Sequence, residues 1–219
     1  MADLPFFITR QGSDSRTVLM LLHGIGANEQ SVAPLTTGAD QRLNVISVRA
    51  PLQIGPLSFA WYPTTFGPNG PVIDAKQAEQ GRRDLLCFIE QYRKEHDIDH
   101  LYLMGFSQGA IMAAVAALSA PTLIQGIVAF SGRFPDEFRG VVAPARELSE
   151  TRLWIGHGTE DEKLPIQLGR SMRNSLLQFG AEFTYSEFSG GHQVTQEMLT
   201  QAHHWITRQL NAHLPVVQG

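Results

Sequence analysis

The sequence predicts an α/β fold in three layers, with a mostly parallel central sheet and helices on both faces. Short runs of strand-forming residues alternate with longer segments of helical periodicity, a pattern typical of βαβ units. The runs are apolar at successive positions, as expected of central strands that are covered on both faces. Several runs end in glycine-rich loops, and such loops at the end of parallel strands are where ligands bind.

Six segments are predicted as strands of this sheet. Each is a short apolar run that stops at glycine, proline or a polar residue. The segments are residues 18–22, 45–48, 101–104, 127–130, 153–155 and 183–188.

The predicted helices between them have recognisable ends. Asp74 is a predicted N-cap, and Gln77 completes a capping box before an apolar stripe. Pro165 fits the first turn of a later helix, and Gly180 fits its C-terminal cap. A final amphipathic helix is predicted over 198–210.

Length and composition limit the domain count and the function classes. The 219 residues, 43% apolar and 17% charged, predict one globular domain over residues 1–219. The net charge of −4 and the pI near 6.0 argue against a nucleic-acid-binding domain. A single cysteine, Cys87, excludes an intrachain disulfide framework and a cysteine-rich zinc site.

The segment at the start of the chain does not have the pattern of a signal peptide. No apolar run approaches the roughly 18 residues of a membrane span. We therefore expect a cytoplasmic protein without stable membrane insertion, and the sequence leaves a homodimer open.

Gly105-Phe106-Ser107-Gln108-Gly109 matches the pattern G-x-S-x-G between a predicted strand and an alanine-rich helix at 110–118. In that context the pattern marks a catalytic serine, because a sharp strand-to-helix turn exposes its Oγ. The flanking glycines leave room for the turn. The N-terminus of the helix supplies unpaired N–H groups and a positive dipole end. We therefore predict Ser107 as a nucleophile.

A serine nucleophile needs a base and a group that orients the base, which here should follow in the order acid, then histidine. His192 follows the last predicted strand and is the candidate base. An acidic loop follows the fifth predicted strand, and the residues alone leave Glu160, Asp161 and Glu162 as candidates for the acid. His157 lies near this loop and is predicted to be structural.

Two backbone N–H groups are predicted to form an oxyanion hole. Gln108 supplies one as the residue after the nucleophile. The turn His23-Gly24-Ile25-Gly26 follows the first predicted strand, and the N–H of Ile25 is the best candidate for the other. The turn lacks a complete phosphate-binding pattern, so no nucleotide site is predicted.

Together these motifs resemble the phospholipase/carboxylesterase family of α/β-hydrolases, which includes bacterial carboxylesterases and acyl-protein thioesterases. The resemblance spans about residues 17–211. The segments that carry it are Leu22-His23-Gly24-Ile25-Gly26-Ala27-Asn28-Glu29, Ser47-Val48-Arg49-Ala50-Pro51, Gly105-Phe106-Ser107-Gln108-Gly109, His157-Gly158-Thr159-Glu160-Asp161 and Gly191-His192-Gln193.

The resemblance implies a triad of Ser107, Asp161 and His192, with an oxyanion hole from Ile25 and Gln108. It also implies that Asp161, rather than Glu160 or Glu162, is the acid, since the family's acid is the fifth residue of the segment that begins at His157. A chain of this length that carries a full sheet has little left for a large cap domain.

Residues 54–71 are rich in proline, glycine and aromatic residues. This composition predicts a long, irregular surface loop beside a pocket. Trp61, Tyr62 and Phe66 are the candidate pocket residues, with Trp61 first because the resemblance places its loop near the nucleophile. The alternative is that these aromatic side chains only pack the loop against the sheet edge.

The sequence departs from the family pattern at two places around the pocket. A hydrophobic–acidic pair often follows the tryptophan, where this chain has Tyr62-Pro63, and proline often follows the acid, where it has Glu162. The substrate preference of the family is therefore not carried over.

The sequence thus predicts a carboxylesterase-type serine hydrolase that cleaves small-molecule carboxylic esters through a covalent acyl-enzyme, with no cofactor and no metal. Within this class the alternative is a thioesterase or lysophospholipase that acts on long acyl chains. From another class, the alternative is a non-catalytic α/β-hydrolase scaffold used for binding. A metal hydrolase is weaker, because the spacing of a metal-binding motif is absent from the sequence.

Overall fold

The computed structural model describes residues 4–14, 16–67 and 70–213. The strands are numbered in chain order. They are β1 (Phe6–Arg10), β2 (Thr17–Leu22), β3 (Asn44–Val48), β4 (Leu52–Gly55), β5 (Ser58–Ala60), β6 (Thr64–Gly67), β7 (Gly70–Ile73), β8 (His100–Phe106), β9 (Gly126–Phe130), β10 (Arg152–Gly158) and β11 (Glu182–Phe188).

Four α-helices and three short 3₁₀ segments complete the described elements. The helices are α1 (Ala75–Glu95), α2 (Gln108–Ser119), α3 (Ile166–Phe179) and α4 (Gln196–His213), and the 3₁₀ segments are Ala33–Thr36, Asp136–Val141 and Ala145–Glu147. No described helix has the length and apolar content needed to cross a membrane.

Seven of the described strands form one central sheet in the order β1-β3-β2-β8-β9-β10-β11. All neighbouring pairs are parallel except β1 and β3, which are antiparallel. The mostly parallel sheet is as predicted, and all six predicted strands are present. The edge strand β1 has no counterpart in the prediction.

Alternating side chains of the strands build two cores on opposite faces of the sheet. In β2, Met20 and Leu22 belong to the core that includes helices α1, α2 and α3. Leu19 and Leu21 belong to the other core, which α4 covers. The predicted helices on both faces are confirmed, with three of the described helices on one face and α4 on the other.

The helix ends follow their sequence signals. Asp74 caps α1, and its side chain accepts hydrogen bonds from the backbone N–H groups of Lys76 and Gln77. Gly180 ends α3 in the left-handed conformation at φ 71°. Glycine is favoured there because an L side chain is strained at positive φ.

The connection between β3 and α1 is more regular than the predicted irregular excursion. It contains two small antiparallel pairs, β4 with β5 and β6 with β7. Phe59 joins the first pair to the loop after β2, because Phe59 N donates to Ala27 O at 2.9 Å and its carbonyl accepts from Gly26 N at the same distance.

Candidate active site

Ser107 lies in a strained turn between β8 and α2. Its φ of 55° and ψ of −117° are outside the usual regions for a residue with a side chain, which costs about 1–3 kcal/mol. Both flanking glycines are required by contact: a Cβ on Gly105 would lie 2.3 Å from the Gly109 carbonyl oxygen, and one on Gly109 would lie 2.1 Å from that of Leu22. The turn is held against the sheet by a 2.9 Å bond from Ser107 N to Phe130 O.

Ser107, His192 and Asp161 form a continuous hydrogen-bonded chain. The Ser107 Oγ is 2.9 Å from His192 Nε2, and His192 Nδ1 is 2.7 Å from Asp161 Oδ2. The other carboxylate oxygen of Asp161 accepts from the backbone N–H groups of Lys163 and Leu164 at 2.9 and 2.8 Å. The Asp161 side chain is fully buried and that of His192 is 18% exposed. The carboxylate is therefore held at a fixed position behind the imidazole.

The loops that carry Asp161 and His192 are tied to each other. They follow the adjacent strands β10 and β11. Thr159 N donates to Phe188 O at 2.8 Å, and Glu160 N donates to Gly190 O at 2.9 Å. A Cβ on Gly158 would lie 2.4 Å from the Gly190 oxygen, so glycine permits this close approach.

Of the three acids that the residues alone left open, only Asp161 is bonded to His192. Glu160 and Glu162 are exposed. The Glu160 carboxylate instead accepts from Ser189 Oγ at 3.2 Å.

His157 is buried behind the acid. Its Nε2 is 2.7 Å from the Leu164 carbonyl, which can only accept, so this nitrogen carries a proton. The same nitrogen is 3.5 Å from Asp161 Oδ2. Its contact with Leu164 fixes the end of the acid loop, which agrees with the structural role predicted for this histidine.

The turn after β2 brings Ile25 to the cavity beside Ser107. His23 holds this turn: Nδ1 donates to the Gly24 carbonyl at 2.8 Å, and Nε2 accepts from Ala50 N at 3.0 Å. Burial lowers the pKa of His23, so the neutral imidazole that this bonding pattern needs is favoured. Gln108 is the first residue of α2, and an N–H at that position has no partner within its helix.

The Gln108 side chain has a role that the sequence analysis missed. Its Oε1 accepts from Trp61 N at 2.8 Å, and its Nε2 donates to Tyr62 O at 2.8 Å and to Thr64 Oγ1 at 3.2 Å. The indole N–H of Trp61 donates to the His23 carbonyl at 3.0 Å. These bonds connect the pocket loop to both the nucleophile turn and the turn that carries Ile25.

A cavity of about 450 Å³ opens beside Ser107. This volume lies within the usual range for small-molecule sites. Ser107, Gln108, Ile25 and His192 all line it. Its larger apolar lining residues are Val32, Tyr62, Ile73, Phe106, Ile111 and Leu164.

The structure corrects the ranking of the pocket residues. Tyr62 lines the cavity, but Trp61, the first choice, is not among the lining residues. Trp61 is 1% exposed and packs in the core beneath the loop, where its indole N–H is satisfied by a backbone carbonyl. The backbone of Phe66 belongs to β6, and its side chain lies outside the described part of the chain. Burial raises the pKa of Tyr62, so its phenol stays neutral.

A sequence profile of the phospholipase/carboxylesterase family matches residues 5–210. The chain belongs to the phospholipase/carboxylesterase family. Among the described residues of this family member, no group of three or more His, Cys, Asp or Glu side chains is arranged to hold a metal ion.

Relatives of this chain include proteins that are named as esterases and thioesterases. Esterase YpfH of Escherichia coli is 27% identical over 194 residues, which are 82% of this chain and 76% of that protein. Acyl-protein thioesterase 1 of Gibberella zeae is 27% identical over 115 residues, 51% of this chain and about half (49%) of that protein. The solved structure of the Bacillus cereus carboxylesterase has a TM-score of 0.81 at 25% identity, covering 94% and 95% of the two chains. The fold is that of the α/β-hydrolases, and the family is one of esterase-type hydrolases.

Proposed function

We propose that this chain is a carboxylesterase that forms a covalent acyl-enzyme on Ser107. The observation that carries the proposal is the unbroken chain from Ser107 Oγ through His192 to Asp161, at 2.9 and 2.7 Å. This is the constellation of a nucleophile, a base and a group that orients the base. Ser107 and His192 line a largely apolar cavity.

The hydrogen bonds support Nε2 of His192 as the atom that acts as the base. The Asp161 carboxylate only accepts, so it holds the proton on Nδ1 and leaves Nε2 free to take the proton of Ser107. Because two backbone N–H groups occupy the other carboxylate oxygen, Asp161 cannot turn away from the imidazole.

When Ser107 Oγ attacks the ester carbonyl, the carbonyl oxygen becomes an oxyanion. We assign its two donors to the backbone N–H groups of Ile25 and Gln108, because both residues line the same cavity as Ser107. Each such donor stabilises the transition state by about 2.7–4 kcal/mol in serine hydrolases.

The tetrahedral intermediate then collapses, and the C–O bond to the alcohol breaks. His192 returns the proton to the leaving alkoxide oxygen, and the acyl group remains on Ser107. A water molecule, deprotonated by His192 in the same way, hydrolyses the acyl-enzyme and regenerates the serine.

Carboxylic esters are the proposed substrates, and thioesters or lysophospholipids with long acyl chains are the competing class within the same mechanism. The names of the thioesterase relatives support that competitor. A panel of p-nitrophenyl esters of graded chain length, assayed beside thioesters of the same acyl groups, separates the two classes. We expect higher kcat/KM for the esters.

The serine mechanism is tested in the same assay with Ser107→Ala and with EDTA. We expect the substitution to lower kcat by about 10⁴-fold or more, since members of a triad act as a unit. EDTA should leave wild-type activity unchanged. Turnover in Ser107→Ala equal to wild type, or activity that EDTA abolishes and a divalent metal restores, would contradict the proposal; no turnover of any ester or thioester would favour the binding scaffold.

A further inference from the structure

The cavity beside Ser107 has two cationic lining residues, Arg133 and Lys163, and no described lining residue is Asp or Glu. The chain as a whole has a net charge of −4, so the positive cavity does not reflect a basic protein. A cleft with charges of one sign raises the local concentration of ligands of the opposite sign.

Arg133 lacks the ion pair that most of the described arginines make. Its Nη2 is 3.4 Å from the Pro71 carbonyl, which is a weak contact, and its Nε is buried without a hydrogen-bond partner. The Arg133 side chain lines the cavity, and its charge has no acidic partner among the described residues. An incoming group with acceptor oxygens would therefore be stabilised beside its guanidinium.

Nine of the other described arginines form ion pairs with Asp or Glu: Arg16, Arg42, Arg49, Arg82, Arg83, Arg139, Arg146, Arg152 and Arg170. Arg10, Arg93, Arg173 and Arg208 make no such pair among the described residues, but none of these four lines the cavity.

The fold places Arg133 close to the nucleophile turn. β9 is the neighbour of β8 in the sheet, and the carbonyl of its last residue, Phe130, accepts the N–H of Ser107. Arg133 follows three residues later. Between them Ser131 has a φ of 50° and donates its N–H to Gly156 O at 2.8 Å, which anchors the chain before it reaches the cavity.

Lys163 approaches the cavity from the acid loop. Its backbone N–H binds Asp161, while its exposed side chain makes no ion pair among the described residues. Glu137, four residues after Arg133, is exposed and is not a lining residue. The two cations therefore face the cavity without a described acidic residue among its lining to neutralise them.

We propose that Arg133, assisted by Lys163, selects esters that carry a carboxylate in addition to the scissile ester group. The planar guanidinium presents parallel N–H donors that match the two oxygens of a carboxylate. Lys163 adds a more exposed and more mobile charge, whose contribution salt screens. This inference rests on the proposed esterase function and names the class of substrate for that site.

The test compares ethyl hydrogen adipate with ethyl hexanoate, in which a methyl group replaces the terminal carboxylate. We expect wild type to prefer the adipate monoester by about 10- to 100-fold in kcat/KM, the range that a hydrogen-bonded charge supports. Arg133→Gln should remove most of this preference and Lys163→Gln a smaller part, about 2- to 5-fold. Arg146→Gln, on the exposed 3₁₀ segment Ala145–Glu147, is the matched control and should leave the ratio unchanged.

A wild-type preference for ethyl hexanoate, or a ratio that Arg133→Gln leaves unchanged, would overturn the inference. A binding measurement distinguishes a failure of this inference from a failure of the esterase proposal. Ethyl hydrogen adipate is titrated calorimetrically into Ser107→Ala and into Ser107→Ala combined with Arg133→Gln. We expect about 10-fold weaker binding in the double variant even if wild type hydrolyses neither ester, and equal binding in both would refute the role of Arg133.

Discussion

Replacing Asp161 with asparagine tests how the acid controls the base. The carboxylate oxygen Oδ1 accepts from two backbone N–H groups, so the amide oxygen of asparagine must take that position. The amide NH₂ then faces His192 Nδ1, which is 2.7 Å from Asp161 Oδ2. Because two donors cannot bond to each other, the imidazole proton moves to Nε2, and the nitrogen that faces Ser107 can no longer accept a proton.

The expected magnitude follows from this change of tautomer. The same substitution in the serine protease triad lowers kcat by about 10⁴-fold, which corresponds to roughly 5.5 kcal/mol at 1.36 kcal/mol per decade. The Asp161 side chain here is fully buried and bonded in the same way, so we expect Asp161→Asn to lower kcat by about 10⁴-fold.

The assay is steady-state hydrolysis of a p-nitrophenyl ester, with circular dichroism to confirm the fold of each variant. Glu160→Gln is the matched control, because Glu160 is exposed and its carboxylate contacts only Ser189 among the described hydrogen bonds. We expect a change of less than about threefold in the control. A folded Asp161→Asn protein within tenfold of wild-type kcat, or a larger loss in Glu160→Gln, would refute the reasoning.

Four further substitutions test the supporting structure. Gly109→Ala should lower the free energy of unfolding by at least about 3 kcal/mol in urea titrations, because the added Cβ would lie 2.1 Å from the last carbonyl oxygen of β2. Gly140 has open space around it, so the control Gly140→Ala should leave the free energy of unfolding unchanged. Trp61→Ala should lower the free energy of unfolding by about 3–5 kcal/mol. Tyr62→Ala should instead shift the preference in the ester panel toward longer acyl chains, since Tyr62 lines the cavity and Trp61 does not. An unchanged chain-length profile in Tyr62→Ala would contradict this. Burial lowers the folded-state pKa of His23 below its ordinary 6.5, so the unfolded chain binds more protons and the free energy of unfolding should fall as the pH drops below 6.5. His23→Gln should reduce this loss of stability between pH 7.5 and pH 5.5, as measured by unfolding titrations at both values. An unchanged loss would contradict the assignment.

The central sheet could be predicted because its strands are buried on both faces. Continuous apolar runs such as Val18–Leu22 have few alternative structures, and glycine loops mark their ends. The edge strand β1 escaped prediction because it is half exposed: Phe7 and Ile8 are each 54% exposed, and the strand pairs only with β3. Its structure depends on a neighbour that is distant in sequence.

The reacting residues could be proposed from local patterns, while the contacts that support them could not. The turn at Ser107 has a signature in five consecutive residues. The side-chain bonds of Gln108 join residues more than 40 positions apart, and nothing in the local sequence indicates such pairs. Arg133 could not be singled out from the sequence for the same reason. Its lack of an acidic partner becomes apparent only when the residues around it are known.

Covalent labelling of Ser107 is the most direct test of the proposed mechanism. The protein is treated with a fluorophosphonate, and the modified peptide is mapped by mass spectrometry. We expect one adduct, located on Ser107, because its Oγ is bonded to His192 Nε2 at 2.9 Å. Ser107→Ala should give no adduct, and His192→Ala should be labelled much more slowly. An adduct on another residue, or equal labelling of Ser107→Ala, would contradict the account.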